Sequence, residues 1–329
     1  MNNIAAIRQY PLIIVAGVIS ALLFAAIMLG GLFGFVSIYL SAAPLAASGL
    51  VFGLPAVIAA SLSGILCLIL AGYTEAAYSF GMVDCLPVLA AVGLFLLKLK
   101  TDENQEKKLF LNYGFVLAAV SLIMSLIIVI RLKSLVSSPL ELVEDGTVNR
   151  ALSLRDIIYT FVYQIVNSAA PDLPIEKDII VNKITSWAPA IVGVLWFFHI
   201  IAGLSFSVWI LDRLKKTLRK KPNYREMLLP YFFTAVTLLS AGWGMFASGD
   251  NAYLAENIAV FLLTLFILQG LTVVHLYIDK MKYKRTASVV FYIAFAFGSF
   301  GVMLGIGVLG LIENFIKLHQ IKMVKNSEE

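Results

Sequence analysis

Gln9–Thr74 reads QYPLIIVAGVISALLFAAIMLGGLFGFVSIYLSAAPLAASGLVFGLPAVIAASLSGILCLILAGYT and contains no Asp, Glu, Lys, Arg or His. As helix, at about 1.5 Å per residue, it runs roughly 100 Å, about three crossings of a ~30 Å hydrocarbon core. A water-soluble domain carrying such a segment would expose large apolar patches. The chain therefore reads as an all-α, polytopic membrane bundle. Within the stretch, Pro11 suits a first helical turn, where its missing N–H costs nothing. Gly17, Ala21 and Ala25 make a small-residue stripe that lets another helix approach closely. Gly30, Gly31 and Gly34 interrupt the run, and Pro44 and Pro55 punctuate the rest.

The rest of the chain agrees. Of its 329 residues 60% are hydrophobic and 14% charged, and the mean hydropathy is +0.91. Soluble domains carry about a quarter charged residues. Nearly all the length goes into apolar runs, so residues 1–329 read as a single membrane domain. The net charge of +5 sits largely in short loops between those runs. Membrane topology and anionic lipid headgroups explain it better than nucleic acid does. Cys67 and Cys85 fall in or beside apolar runs without a CxxC spacing and read as two buried thiols. The apolar run after Arg8 is too long for a signal-peptide core and reads as an uncleaved first helix.

Taken in order, the spans are 11–29, 32–50, 54–70, 82–97, 109–130, 187–210, 228–247, 253–278 and 287–312, about eight or nine crossings. The last is interrupted by Gly298, Gly301 and Gly305. It reads as one span packed through small residues, with a bent hairpin as the alternative. Asp84 falls near the start of the fourth span, at interface depth, as does Glu256 in the eighth. Lys98–Lys108, Arg213–Arg225 and Asp279–Arg285 are the basic loops, and the positive-inside rule puts them and the N-terminus in the cytoplasm. The long polar segment 131–186 then lies outside. In it Leu154, Ile157, Ile158, Phe161, Val162 and Ile165 share one helical face and Arg150, Asp156, Thr160 and Gln164 the other. Ser153 and Asp156 resemble a capping box, and Ser138-Pro139 an N-cap followed by Pro. Short interfacial helices are expected there, either resting on lipid or lying as a lid over a cavity.

No HExxH, GxGxxG, Walker or G-x-S-x-G motif occurs, and His199, His275 and His319 are too scattered for a metal cluster. No catalytic residue, metal or cofactor is expected, and the chain reads as a non-enzyme. Polar groups inside spans are the default site candidates because hydrocarbon penalises them. His199 sits near the middle of the sixth span, where a neutral imidazole can bind a ligand or relay a proton. Asn257, Thr264 and His275 share a face of the eighth span, since eighteen residues make about five turns. Gln269 lies about a third of a turn away. These five are the ligand-binding candidates. The plainer reading makes each an interhelical link worth about 1 kcal/mol.

Asn257, Gln269-Gly270-Leu271 and Val274-His275 resemble a pattern in the YybS-like predicted membrane proteins, a bacterial domain of unknown function (number 2232). Ser20-Ala21-Leu22-Leu23-Phe24-Ala25, Tyr39-Leu40, Ala43-Pro44-Leu45 and Leu309-Gly310-Leu311-Ile312 are similar to it too. Glu313, Asn314 and Phe315 match its acidic and aromatic end more loosely. The resemblance implies a multi-pass protein of the bacterial cytoplasmic (inner) membrane and no established activity. In style the N-terminal half is also similar to the substrate-binding subunits of energy-coupling-factor vitamin transporters and to the cell-shape scaffold MreD. Two functions are therefore expected: transport-related binding of a small apolar or amphipathic ligand, or an MreD-like membrane scaffold with a membrane-protein partner. The expected partners are the bilayer and, at the basic cytoplasmic loop, anionic lipid headgroups.

Overall fold

The computed structural model describes residues 9–102, 105–110, 112–136, 153–169, 177–216, 218–219, 224, 227–297 and 300–316. The chain forms two compact units, one from Met1–Ser121 and Leu195–Leu228, the other from Leu122–Val194 and Leu229–Glu329.

In the first unit the uncharged stretch gives three helices, α1 (Tyr10–Ala25), α2 (Gly31–Phe52) and α3 (Leu54–Leu70), with a 3₁₀ turn Ala26–Leu29 after α1. Gly53 joins α2 to α3 at φ +91°, a conformation that only glycine adopts without strain. Pro55 then opens α3 within its first two positions. Small residues set the spacing. A Cβ on Gly17 would lie 1.9 Å from the Ala60 carbonyl oxygen, so α1 and α3 pack backbone against backbone. The core between them holds Ile13, Ala21, Phe24, Leu45, Val57 and Phe80.

Next come α4 (Thr74–Phe80), a π turn Gly81–Cys85 and α5 (Leu86–Leu96), which together make one helix, Thr74–Leu96. The sequence places this span's start at Met82. In the structure the helix begins eight residues earlier, with Glu75 in its first turn, where a carboxylate favours the helix dipole. Asp84 therefore falls near the middle of this helix rather than near its start. The lysine-rich segment that follows is an antiparallel hairpin, β1 (Lys98–Asp102) with β2 (Gln105–Phe110).

Helix α6 (Tyr113–Val136) starts in the first unit and ends in the second. In the second unit α7 (Leu154–Ala169) is the expected amphipathic helix. Its capping box is present: the Asp156 N–H donates to Ser153 Oγ (3.2 Å) and the Ser153 N–H to Asp156 Oδ2 (3.3 Å). Leu154, Ile157, Ile158 and Val162 are buried, whereas Phe161 and Ile165 are exposed. Ser138-Pro139 lies outside the described residues. Helix α8 (Lys177–Arg213) starts ten residues before the span expected from Trp187. At about 55 Å it exceeds the hydrocarbon core, so its polar first turns continue beyond the apolar run.

The second unit continues with α9 (Tyr231–Phe246) and α10 (Gly249–Ile278). In place of the single span expected over 287–312 there are two helices, amphipathic α11 (Lys284–Phe297) and apolar α12 (Phe300–Ile316). Helix α12 runs antiparallel along α10, with Ile306 against Gly270 and Gly310 against Phe266.

Among the described residues, five helices are long and apolar enough to cross a membrane: Tyr10–Met28, Thr74–Leu96, Tyr113–Ser134, Lys177–Arg213 and Gly249–Ile278. Four shorter apolar helices accompany them: Val36–Phe52, Leu54–Leu70, Tyr231–Phe246 and Gly301–Ile316.

Candidate functional site

The first unit holds a buried ionisable pair. Asp84 lies in the π turn, where the Leu86 N–H reaches the Gly81 carbonyl, one residue further back than in an α-helix. Such one-turn bulges re-aim side chains and recur at functional sites. Asp84 is fully buried, as is Ser41 on α2. Asp84 Oδ1 lies 2.7 Å from His199 Nε2, and Oδ2 accepts a hydrogen bond from Ser41 Oγ. Pro44 supplies no N–H to the carbonyl four residues before it, which loosens α2 beside Ser41. The Ser20 hydroxyl of α1 donates to the Ser41 carbonyl there.

Close packing brings His199 to this point. A Cβ on Gly203, one turn beyond His199, would lie 2.7 Å from Ala42 Cβ, so α8 and α2 nearly touch. Ser207 Oγ donates to the Ala43 carbonyl (2.7 Å) and Trp196 Nε1 to the Val83 carbonyl (2.7 Å), pinning α8 on both sides of the histidine. The Tyr39 ring meets the imidazole edge-on at 5.9 Å. His199 Nδ1 is buried without a hydrogen-bond partner among the described residues.

The same unit contains an apolar cavity of about 490 Å³ lined by Leu50, Ala91, Phe95, Tyr113, Leu204 and Trp209, among others. The few polar groups on its wall include the hydroxyls of Tyr113 and Ser205. Ala91 and Phe95 follow Asp84 on one helix, and Ile200, beside His199, also lines the cavity. Two backbone ends nearby are held by the basic loop. The Leu218 N–H donates to the Leu50 carbonyl (2.9 Å), and Arg219 Nη1 donates to the Phe95 carbonyl (2.6 Å) while its guanidinium lies 4.2 Å from the Phe95 ring centre. Burial lowers the pKa of Arg219 from its usual value. The contact is a helix C-terminus capped by a cation.

The other four sequence candidates lie on α10 in the second unit, and the structure does not gather them into one site. Asn257 serves a proline break in α8. Pro189 has no N–H for the Thr185 carbonyl, which accepts from the Tyr253 hydroxyl instead (2.5 Å). The Asn257 carboxamide accepts from the Ala190 N–H (3.1 Å) and donates to the Ser186 carbonyl (3.1 Å). Gln269 is fully buried; it accepts from the Leu229 N–H (3.0 Å) and donates to the Gly310 carbonyl (3.2 Å) and Asn314 Oδ1 (3.4 Å). Asn314 in turn donates to Thr234 Oγ1 (2.6 Å). Thr264 is buried within α10, and His275 pairs with the Tyr292 hydroxyl (2.6 Å). Glu313, fully buried on α12, is a further buried carboxyl.

Sequence reasoning found His199 and missed Asp84 and Ser41. The signal for Asp84 was the helix start at Thr74-Glu75, which puts the aspartate near the middle of the helix. Nothing local marks Ser41.

The family model described as "predicted membrane protein (DUF2232)" matches residues 18–313, and the chain belongs to that family. No curated protein and no solved structure matches it.

Proposed function

We propose that this member of the family is a transport-related, non-enzymatic protein of the bacterial cytoplasmic membrane that binds a small apolar or amphipathic ligand in the cavity of its first unit. The single observation that carries the reading is that cavity. At about 490 Å³ it falls in the range of small-molecule sites, and it pairs an apolar wall with a few hydroxyls that orient a ligand. The four shorter apolar helices join the five long ones as crossings, nine among the described residues. The basic loops, Arg219 included, then face the cytoplasm together with the N-terminus, and their lysines meet anionic headgroups.

Full-length protein in lipid nanodiscs, melted against panels of fatty acids, isoprenoid alcohols and vitamins, tests the reading. A true ligand at a hundred times its Kd stabilises by about 2.7 kcal/mol. Leu204→Trp, which fills the cavity, abolishes that shift. If no compound stabilises the wild type, or if Leu204→Trp responds as the wild type does, the reading fails. Co-purification of envelope proteins with the unresponsive wild type would favour the scaffold function instead.

A further inference from the structure

We propose that Asp84 and His199, with Ser41, form a proton-exchange site inside the membrane. The first ground is isolation. Gln9–Thr74, which supplies α1, α2 and α3, has no carboxyl, amine, guanidinium or imidazole side chain, and His199 is the one side chain of that kind between Leu195 and Leu211 of α8. The titratable groups facing the pair are Tyr39, edge-on to the imidazole, and Cys85, beside Asp84. From α1 the Ser20 hydroxyl reaches the Ser41 carbonyl, a neutral contact. Among the described residues no lysine or arginine is there to balance a carboxylate, so a proton is the means of neutralising it in a low-dielectric interior.

The second ground is the connectivity. With one proton on the imidazole, Nε2–H donates to the Asp84 carboxylate and the pair carries one negative charge. A proton arriving at Nδ1 forms an N–H bond there. The Nε2–H bond breaks as an O–H bond forms at Oδ1, across 2.7 Å. One proton has been bound, the charge has gone from minus one to zero, and no other reactant is needed. Nδ1 is the position for this because Nε2 is engaged and Nδ1, though buried, has no partner among the described residues.

Ser41 completes the site. Its hydroxyl reaches two acceptors, Asp84 Oδ2 and the Ile38 carbonyl (2.8 Å), but has one proton to give. It serves Oδ2 while the carboxylate is charged and turns to the carbonyl when the carboxyl is neutral.

The test is infrared difference spectroscopy of the full-length protein in nanodiscs, labelled with ¹³C at the aspartate carboxyl, as pH is stepped over about 5 to 9. The wild type is expected to show a protonated-carboxyl band that carries the label shift and responds to pH. Asp84→Asn removes it. Ser41→Ala, which takes away the hydroxyl favouring the carboxylate, raises proton affinity by about fivefold. A labelled carboxyl that never changes state in the wild type overturns the proposal, as does a band that survives in Asp84→Asn. Should Asp84→Asn fail to fold, Ser41→Ala decides: an unmoved midpoint refutes the assignment to Asp84.

Discussion

Replacing Gly310 with alanine tests how α12 is held against α10. The added Cβ would sit 1.9 Å from the Phe266 carbonyl oxygen and 2.7 Å from the Gly270 nitrogen, both backbone atoms inside a helix. Ordinary contact begins at 3.4 Å, so one helix must retreat by about 1.5 Å, the difference from 1.9 Å. That retreat stretches the Gln269 Nε2 to Gly310 O contact from 3.2 Å to about 4.7 Å, beyond hydrogen-bond range. The neighbouring contact with Asn314 Oδ1 starts at 3.4 Å on the same helix and fails with it. Overpacking costs about 1–3 kcal/mol, and a lost hydrogen bond within a membrane bundle about 0.6 kcal/mol on average. The expected sum is about 2–4 kcal/mol, with packing the larger share. Unfolding in mixed detergent micelles measures it. Gly305→Ala is the control, because no described atom lies within 4 Å of its Cβ. If Gly310→Ala unfolds within about 0.5 kcal/mol of the wild type, the close approach of α10 and α12 is refuted.

Asp84→Asn and His199→Gln should each destabilise the protein by about 2–5 kcal/mol, while the double variant costs at least about 1 kcal/mol less than their sum. Additive losses in the same unfolding assay would mean that the two side chains do not interact. Tyr253→Phe should cost about 1 kcal/mol, and less in a Pro189→Ala background, where residue 189 regains an N–H for the Thr185 carbonyl; an equal cost in both backgrounds would contradict the proline-break reading. On α7, outside the spans, the Tyr159 hydroxyl donates to Asp178 Oδ1 (3.0 Å), and this bond raises the tyrosine's pKa. A raised folded-state pKa gives stability that is complete below the unfolded value of about 10 and is lost as pH rises through the folded one. Melting scans above pH 9 should therefore show a steeper alkaline fall in wild type than in Tyr159→Phe, and parallel curves would count against the bond.

Much of the fold was legible because the strongest constraint on it, the exclusion of charge and of unpaired backbone from hydrocarbon, is coarse. An uncharged run such as Gln9–Thr74 admits helices and little else in lipid, and Pro11, Pro44 and Pro55 with the glycines between them mark the turns and close contacts. The capping box at Ser153–Asp156 was legible because its hydrogen bonds are local. Two boundaries were not. Thr74–Gly81 carries Glu75, two aromatic residues and a serine, so its hydropathy falls off although the helix continues, and Asp84 was placed too near the helix start. In the other, the glycines of the expected last span read as one tightly packed helix, whereas α11 ends at Phe297 and α12 begins at Phe300.

The candidate site divides along the same line. Asn257 and Gln269 have the chemistry of ligand-binding residues, and sequence cannot say where their amides end. In the structure they end largely on backbone groups, those left unpaired around Pro189 and at the start of α9, so their polarity is spent on holding helices. His199 differs because its partner is itself ionisable. A backbone carbonyl fixes one state of a side chain, whereas a carboxyl at 2.7 Å leaves a proton free to sit on either atom. The uncharged opening stretch matters for this reason: by supplying the hydroxyls of Ser20 and Ser41 and no counter-charge, it leaves the Asp84–His199 pair to settle its charge with a proton.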